Sequence, residues 1–229
     1  MPEKGEKMNR EDLFTLIHKG LRAMLYDMGL KLQTNDFMDE PVTSEILSHM
    51  RNTLELMNHH ADYEEGFIFP ELRAFEPGLV ETLELDHREI ERLGSILEST
   101  MAGIEGVKGA DAFIGLGDRL QREFNAYLAF FLKHLNYEEA EAIQASQRHF
   151  SDDELRIMRG NIVAATPAEQ NTEFMRWMFS SANSNELAES LVGIKASGIP
   201  PQALEGMLAF ARGIVGEEKW EIIQRKAGM

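Results

Sequence analysis

His60-Ala61-Asp62-Tyr63-Glu64-Glu65 and His134-Leu135-Asn136-Tyr137-Glu138-Glu139 are near-copies of one another, set far apart in one chain. In each, His and Glu stand four residues apart, so on a helix they project from the same side. The flanking residues show that a helix is the right frame. Met50, Met57, His60, Glu64 and Phe67 recur at a helical period, as do Leu120, Phe124, Leu128, Phe131 and Glu138. A carboxylate on such an apolar stripe is costly unless it is paired or binds a metal.

Working outward, two more segments carry the same period. Phe14, Ile17, His18, Leu21, Met24, Leu25 and Met28 share a face, with Asn9 as expected N-cap and Glu11 and Asp12 in the first turn. Val80, Leu83, His87, Ile90, Leu97 and Met101 form the other stripe. Asp36 to Pro41 reads as a loop. The helix after it is expected from Thr43 to about Phe75, with Pro70 kinking or shortening its end. Glu76-Pro77-Gly78 and Gly103 to Gly109 are further breaks, and the fourth helix is expected from Asp111 to Gln147. No segment alternates like a strand. Short connections between long helices favour antiparallel neighbours, so the expected fold is all-α: an up-down-up-down four-helix bundle over residues 1–150.

From Ser151 the texture changes. Ser151-Asp152-Asp153-Glu154 is a helix start, and Thr166-Pro167 is a cap followed by proline at the first helical position. Asn183 to Asn185 and Gly198 to Pro201 break the remainder into shorter helices. Residues 151–229 are therefore expected to form a smaller C-terminal helical lobe. It contains no histidine.

Composition narrows the function. The 229 residues carry a formal net charge of −16 and no cysteine. The acidic balance speaks against nucleic acid and anionic membranes, which are held through Lys and Arg. Without cysteine, disulfides, thiolate zinc sites and iron–sulfur ligation are excluded. The start MPEKGEKMNRED has no apolar stretch behind a basic one, and no apolar run approaches the about 18 residues that span a bilayer. A cytoplasmic location is the expectation.

Of seven histidines, His18, His60, His87 and His134 lie on the apolar stripes, one per expected bundle helix. A single histidine on such a face is more often a satisfied core residue than a ligand. Four together, joined by Glu64 and Glu138, suit a two-metal centre on nitrogen and oxygen donors. Imidazole accepts Fe, Zn, Cu or Ni, and bridging carboxylates favour iron or manganese. His59 competes with His60 as a donor, but only His60 stands four before Glu64.

The ordered set resembles the hemerythrin-like (HHE) cation-binding domain family: histidine on the first helix, H-x-x-x-E on the second, histidine on the third, H-x-x-x-E on the fourth. Glu64-Glu65-Gly66-Phe67-Ile68-Phe69-Pro70 is similar to the E-E-x-x-[LI]-F-P run of that family. The resemblance covers roughly residues 9 to 150. It implies two iron ions, bridged by Glu64 and Glu138 and capped by His18, His60, His87 and His134. The chain departs from the oxygen carriers of the family. Leu83 and Glu91 flank His87 where those have a second histidine, and Glu138 stands four after His134 where those have Asp at five. Glu91 enters as an extra ligand, a partner of His87, or a surface charge. The set is closer to relatives linked to iron–sulfur cluster repair and to iron or oxygen sensing, although the cysteine-bearing N-terminal segment of some repair proteins is missing.

The leading functional expectation is a non-haem di-iron protein that binds or reacts with oxygen, peroxide or nitric oxide, in sensing, stress response, iron handling or cluster repair. A two-metal Zn or Mn hydrolase is the alternative, weakened by the lack of an evident Arg or Lys to orient a substrate. A third reading is a metal-stabilised interaction protein that docks a partner, or a second copy, through residues 151–229. On that reading Trp177, Phe179 and Trp220 form an exposed patch, with core packing as the favoured alternative for them.

Overall fold

Asp12 starts the first helix. Its carboxylate accepts from the amides of Phe14 (2.8 Å) and Thr15 (3.0 Å) and from the Thr15 hydroxyl (2.5 Å). Helix α1 runs Thr15–Thr34 in this computed structural model, which describes residues 10–107, 110–196 and 198–229, with residues 110–112 by backbone alone. The expected cap Asn9 lies outside the described residues.

Helix α2 spans Glu40–Tyr63. It begins inside the expected Asp36–Pro41 loop, because Asp39 caps it by accepting from the Val42 amide and Pro41 fits the first turn, where no N–H is needed. It passes without a break into a π-helical segment, π1 (Glu64–Ile68), and then α3 (Phe69–Arg73). Pro70 does not end the run, which continues to Arg73. It falls in the first turn after the π segment.

Helix α4 spans Pro77–Gly106, past the expected break at Gly103. Helix α5 (Ala110–Tyr137) leads into a second π segment, π2 (Glu138–Ala142), and then α6 (Ile143–His149). Helix α7 (Asp152–Ala165) opens with a capping box, in which Ser151 and Glu154 satisfy each other's backbone amides. There follow α8 (Ala168–Ser181), α9 (Ser184–Ala196), α10 (Pro201–Val215) and α11 (Glu217–Ala227). The described residues contain helices and no strand. None of these helices is long and apolar enough to cross a membrane.

Two compact units divide the chain. The first comprises the described part of Met1–Thr15 together with Lys31–Thr166. In it α4 packs along α5 and against α2. Gly94 faces Tyr127 and His87 faces His134, so α4 and α5 are antiparallel. Arg51 pairs with Glu105 and Glu65 with His87, so α2–π1 and α4 are antiparallel too. Phe14, Ile68, Phe69, Leu72, Val80 and Leu83 form a core cluster at the end where the π segments lie. Burying each such side chain contributes about 1.5–3 kcal/mol.

The second unit comprises Leu16–Leu30 and Pro167–Met229. Helix α1 thus packs with the last four helices. Gly20 lies against the α8 backbone at Trp177 and Met178, and Lys19 pairs with Glu186 at the start of α9. Phe179, Leu187, Leu191, Trp220 and Ile223 are buried together, with Leu16 packed against them. Phe179 and Trp220 are therefore core residues, not parts of an exposed patch, and the Trp177 indole N–H donates to Glu173 (2.9 Å).

Candidate metal centre

Glu64 and Glu138 are the first residues of π1 and π2. The Phe69 amide donates to the Glu64 carbonyl and the Ile143 amide to the Glu138 carbonyl. These bonds reach five residues back rather than four, which widens the helix by one residue locally. The repeated H-x-x-x-E-E string thus produces the same backbone irregularity twice. Each α-helix presents its histidine, and the π turn that follows presents the carboxylate.

All six expected donors are buried. His18 and Glu138 are 0% exposed, His134 1%, Glu64 2%, His87 6% and His60 7%. Glu64, His87, His134 and Glu138 each offer a ligand atom, and these atoms lie within 4.8 Å of one another. The atoms offered by His60, Glu64 and Glu138 are as close. His60 Nε2 stands 3.2 Å from Glu64 Oε1, and His134 Nε2 stands 3.3 Å from Glu138 Oε2. His87 Nε2 stands 3.4 Å from Glu64 Oε2, 4.0 Å from Glu138 Oε1 and 3.1 Å from His134 Nε2. The two carboxylates thus lie between imidazoles, each within reach of more than one. His18 sits on α1, in the second unit, fully buried.

The weaker candidates lie elsewhere. His59 is half-buried and turns to Glu55 (3.6 Å) and Asp62 (3.7 Å), with Tyr63 stacked beside it. Glu91 is exposed on α4. His149 stacks on Phe75 and hydrogen-bonds Glu76 at 3.0 Å. Tyr137 is partly buried against the core cluster that includes Phe69 and Ala142. Two neighbours of the site escape a reading of spacing alone. Glu65 Oε1 lies 2.8 Å from His87 Nδ1, and Asp86 Oδ2 lies 3.6 Å from His134 Nδ1. The repeated Glu-Glu pair was the one available signal for Glu65.

The electrostatics reflect two buried carboxylates close to one another. Burial drives the Glu138 carboxyl well above the usual carboxylate range, and the charge and hydrogen bonding of Glu64 push it further. For His87 burial favours the neutral ring, but the hydrogen bonds and charges of Glu64 and Glu65 outweigh it and raise the pKa. Buried anions that hold one another's protons are destabilising alone and become favourable donors once a cation compensates them. Nitrogen and oxygen donors in this ratio, with no sulfur, fit iron and also admit manganese or zinc.

The family model described as Hemerythrin HHE cation binding domain matches residues 10–146. No curated protein and no solved structure matches significantly.

Proposed function

Because the chain belongs to the hemerythrin HHE cation-binding domain family, we propose that it is a non-haem di-iron protein that binds or reacts with oxygen, peroxide or nitric oxide. The observation that carries this reading is the convergence of Glu64, His87, His134 and Glu138, all buried, with ligand atoms within 4.8 Å of one another. On this reading α1, α2, α4 and α5 are the four helices of an up-down-up-down bundle. His18, His60, His87 and His134 would be the nitrogen donors that hold the iron pair, and Glu64 and Glu138 the oxygen donors.

A pair of irons supplies a redox-active, Lewis-acidic centre for a small diatomic ligand. The chain's own residues do the rest. Burial of the carboxylates keeps bulk water from competing for the donors. The π turns start at Glu64 and Glu138 and bring each carboxylate within 3.2–3.4 Å of an imidazole, which supports a site organised before a cation arrives. Phe69 stacks on His87 (ring centroids 5.3 Å apart) and Phe131 lies edge-on to His134 (6.2 Å), walling that side with apolar groups. Such walls favour small uncharged or weakly charged ligands. They are what sensing, stress-response, iron-handling or cluster-repair roles have in common.

The test is iron stoichiometry. Protein purified without a metal-affinity tag is loaded with ferrous iron under anaerobic conditions and analysed for bound metal. About two irons per chain, lost when Glu64 and Glu138 are both replaced by alanine, is the expected result. Unchanged iron in the double variant, or preferential retention of zinc, would overturn the reading. Exposure of the loaded protein to oxygen, peroxide and nitric oxide, followed optically, then separates the ligands.

A further inference from the structure

Glu64 and Glu65 are consecutive, yet they address the two nitrogens of one imidazole. Glu64, 2% exposed, approaches His87 Nε2 from inside at 3.4 Å. Glu65, whose side chain is 45% exposed, meets His87 Nδ1 from the solvent side at 2.8 Å. Neighbouring residues of a regular α-helix point about 100° apart, and at this turn the π segment places both carboxylates along the same ring. Phe69, at the end of the turn, stacks on its face at 23°. One helical turn therefore holds His87 at both nitrogens and one face.

We propose that Glu65 is a positioning residue for His87. An ionised carboxylate only accepts, so the 2.8 Å contact requires the proton on Nδ1. With Nδ1 donating to Glu65, Nε2 is the ring atom turned to Glu64, Glu138 and His134, and it gives up any proton it holds when a metal binds. The ring is thereby fixed both in tautomer and in rotation, in the form a metal accepts without rearrangement. The partner site is built differently. The Asp86 carboxylate stands 3.6 Å from His134 Nδ1, beyond hydrogen-bond distance. Because Glu65 reaches solvent, its hold on His87 is open to outside influence.

The inference rests on the metal reading only for its second consequence, so two measurements are paired. The first uses metal-free protein, at a pH high enough for the His87 ring to be neutral, and reads its tautomer from the ring-nitrogen chemical shifts. The native protein is expected in the Nδ1–H form and Glu65→Ala in the other tautomer or a mixture. Glu65→Gln, which keeps a neutral acceptor, stays close to native. An Nδ1–H ring in Glu65→Ala would overturn the assignment. The second is an anaerobic ferrous-iron titration against a competing chelator. Glu65→Ala is expected to weaken iron binding by about 10- to 100-fold, with a smaller loss for Glu65→Gln. The exposed control Glu89→Ala, whose partner is Arg92, is expected to be unchanged. Affinity in Glu65→Ala within twofold of native would also overturn the proposal. If native protein takes up no iron, the di-iron reading falls, and the tautomer measurement still decides the role of Glu65.

Discussion

Glu64 and Glu138 occupy equivalent places, each at the first residue of a π-helical segment, and both turn a carboxylate oxygen to His87 Nε2, at 3.4 and 4.0 Å. Neither is a surface charge that strayed inward. The two widened turns bring them together from separate helices, and the consequences of that meeting can be measured.

In metal-free protein the meeting is unfavourable. The folded-state pKa of Glu138 is raised, first by burial and then by Glu64. A group raised on folding holds its proton in the folded chain where the unfolded chain has lost it. Its contribution therefore falls as pH rises from the ordinary carboxylate range through the raised folded value. Glu138→Gln is expected to raise the melting temperature of metal-free protein at neutral pH, with the gain shrinking towards pH 4. Each kcal/mol gained corresponds to about 2–4 °C in a chain of this size. Paired thermal melts across pH check this. A variant no more stable than native at neutral pH would contradict it.

Loading should reverse the sign. Metal donors must be deprotonated, and both Glu138 and His87 hold their protons to higher pH than usual. Iron affinity is expected to rise with pH through the neutral range, and uptake to release protons. Calorimetric titrations in buffers of different ionisation enthalpy read the proton count directly. Affinity independent of pH from 6 to 8 would exclude this account.

Two glycines should respond oppositely. A Cβ at Gly20 would sit 3.0 Å from the Met178 backbone nitrogen and 3.2 Å from the Trp177 carbonyl carbon, in a contact between two helices. Gly20→Ala is expected to destabilise by about 1–3 kcal/mol through overpacking. A Cβ at Gly66, inside π1, would meet nothing within 4 Å. Gly66→Ala is expected to stabilise by about 0.5–1 kcal/mol, because the unfolded chain loses freedom. Denaturant titrations of both variants decide it. Loss of stability at Gly66 would mean that the π turn requires glycine.

The capping box at α7 gives a smaller, local prediction. Ser151 accepts from the Glu154 amide, and the Glu154 side chain returns the bond to the Ser151 amide. Ser151→Ala is expected to cost about 0.5–2 kcal/mol with no change in iron content, measured by chemical denaturation and metal analysis.

The helices and the burial of the six expected donors were readable because the signals are strong. Apolar residues recur with the helical period, and histidine or glutamate on an apolar stripe is rare enough to stand out. The π turns were not readable. H-x-x-x-E describes an ordinary α-helical neighbour pair equally well, and only the longer backbone bonds to Glu64 and Glu138 separate the two cases. Helix starts shifted because side chains compete for the role. Asp12 is the acceptor that opens α1, and Asp39 caps α2 where proline had suggested a loop. The packing of α1 was invisible for another reason. Lys19 and Glu186, or Gly20 and Met178, are too distant in sequence for any local pattern to join them.

That packing sets an order of events during synthesis. The partners that α1 finds in its own unit, from Pro167 onward, leave the ribosome well after α1 itself. A nascent chain with α2, α4 and α5 already exposed can gather His60, Glu64, His87, His134 and Glu138 while the helix bearing His18 still waits for α8 and α9. A helix made before its partners is secured only after they emerge.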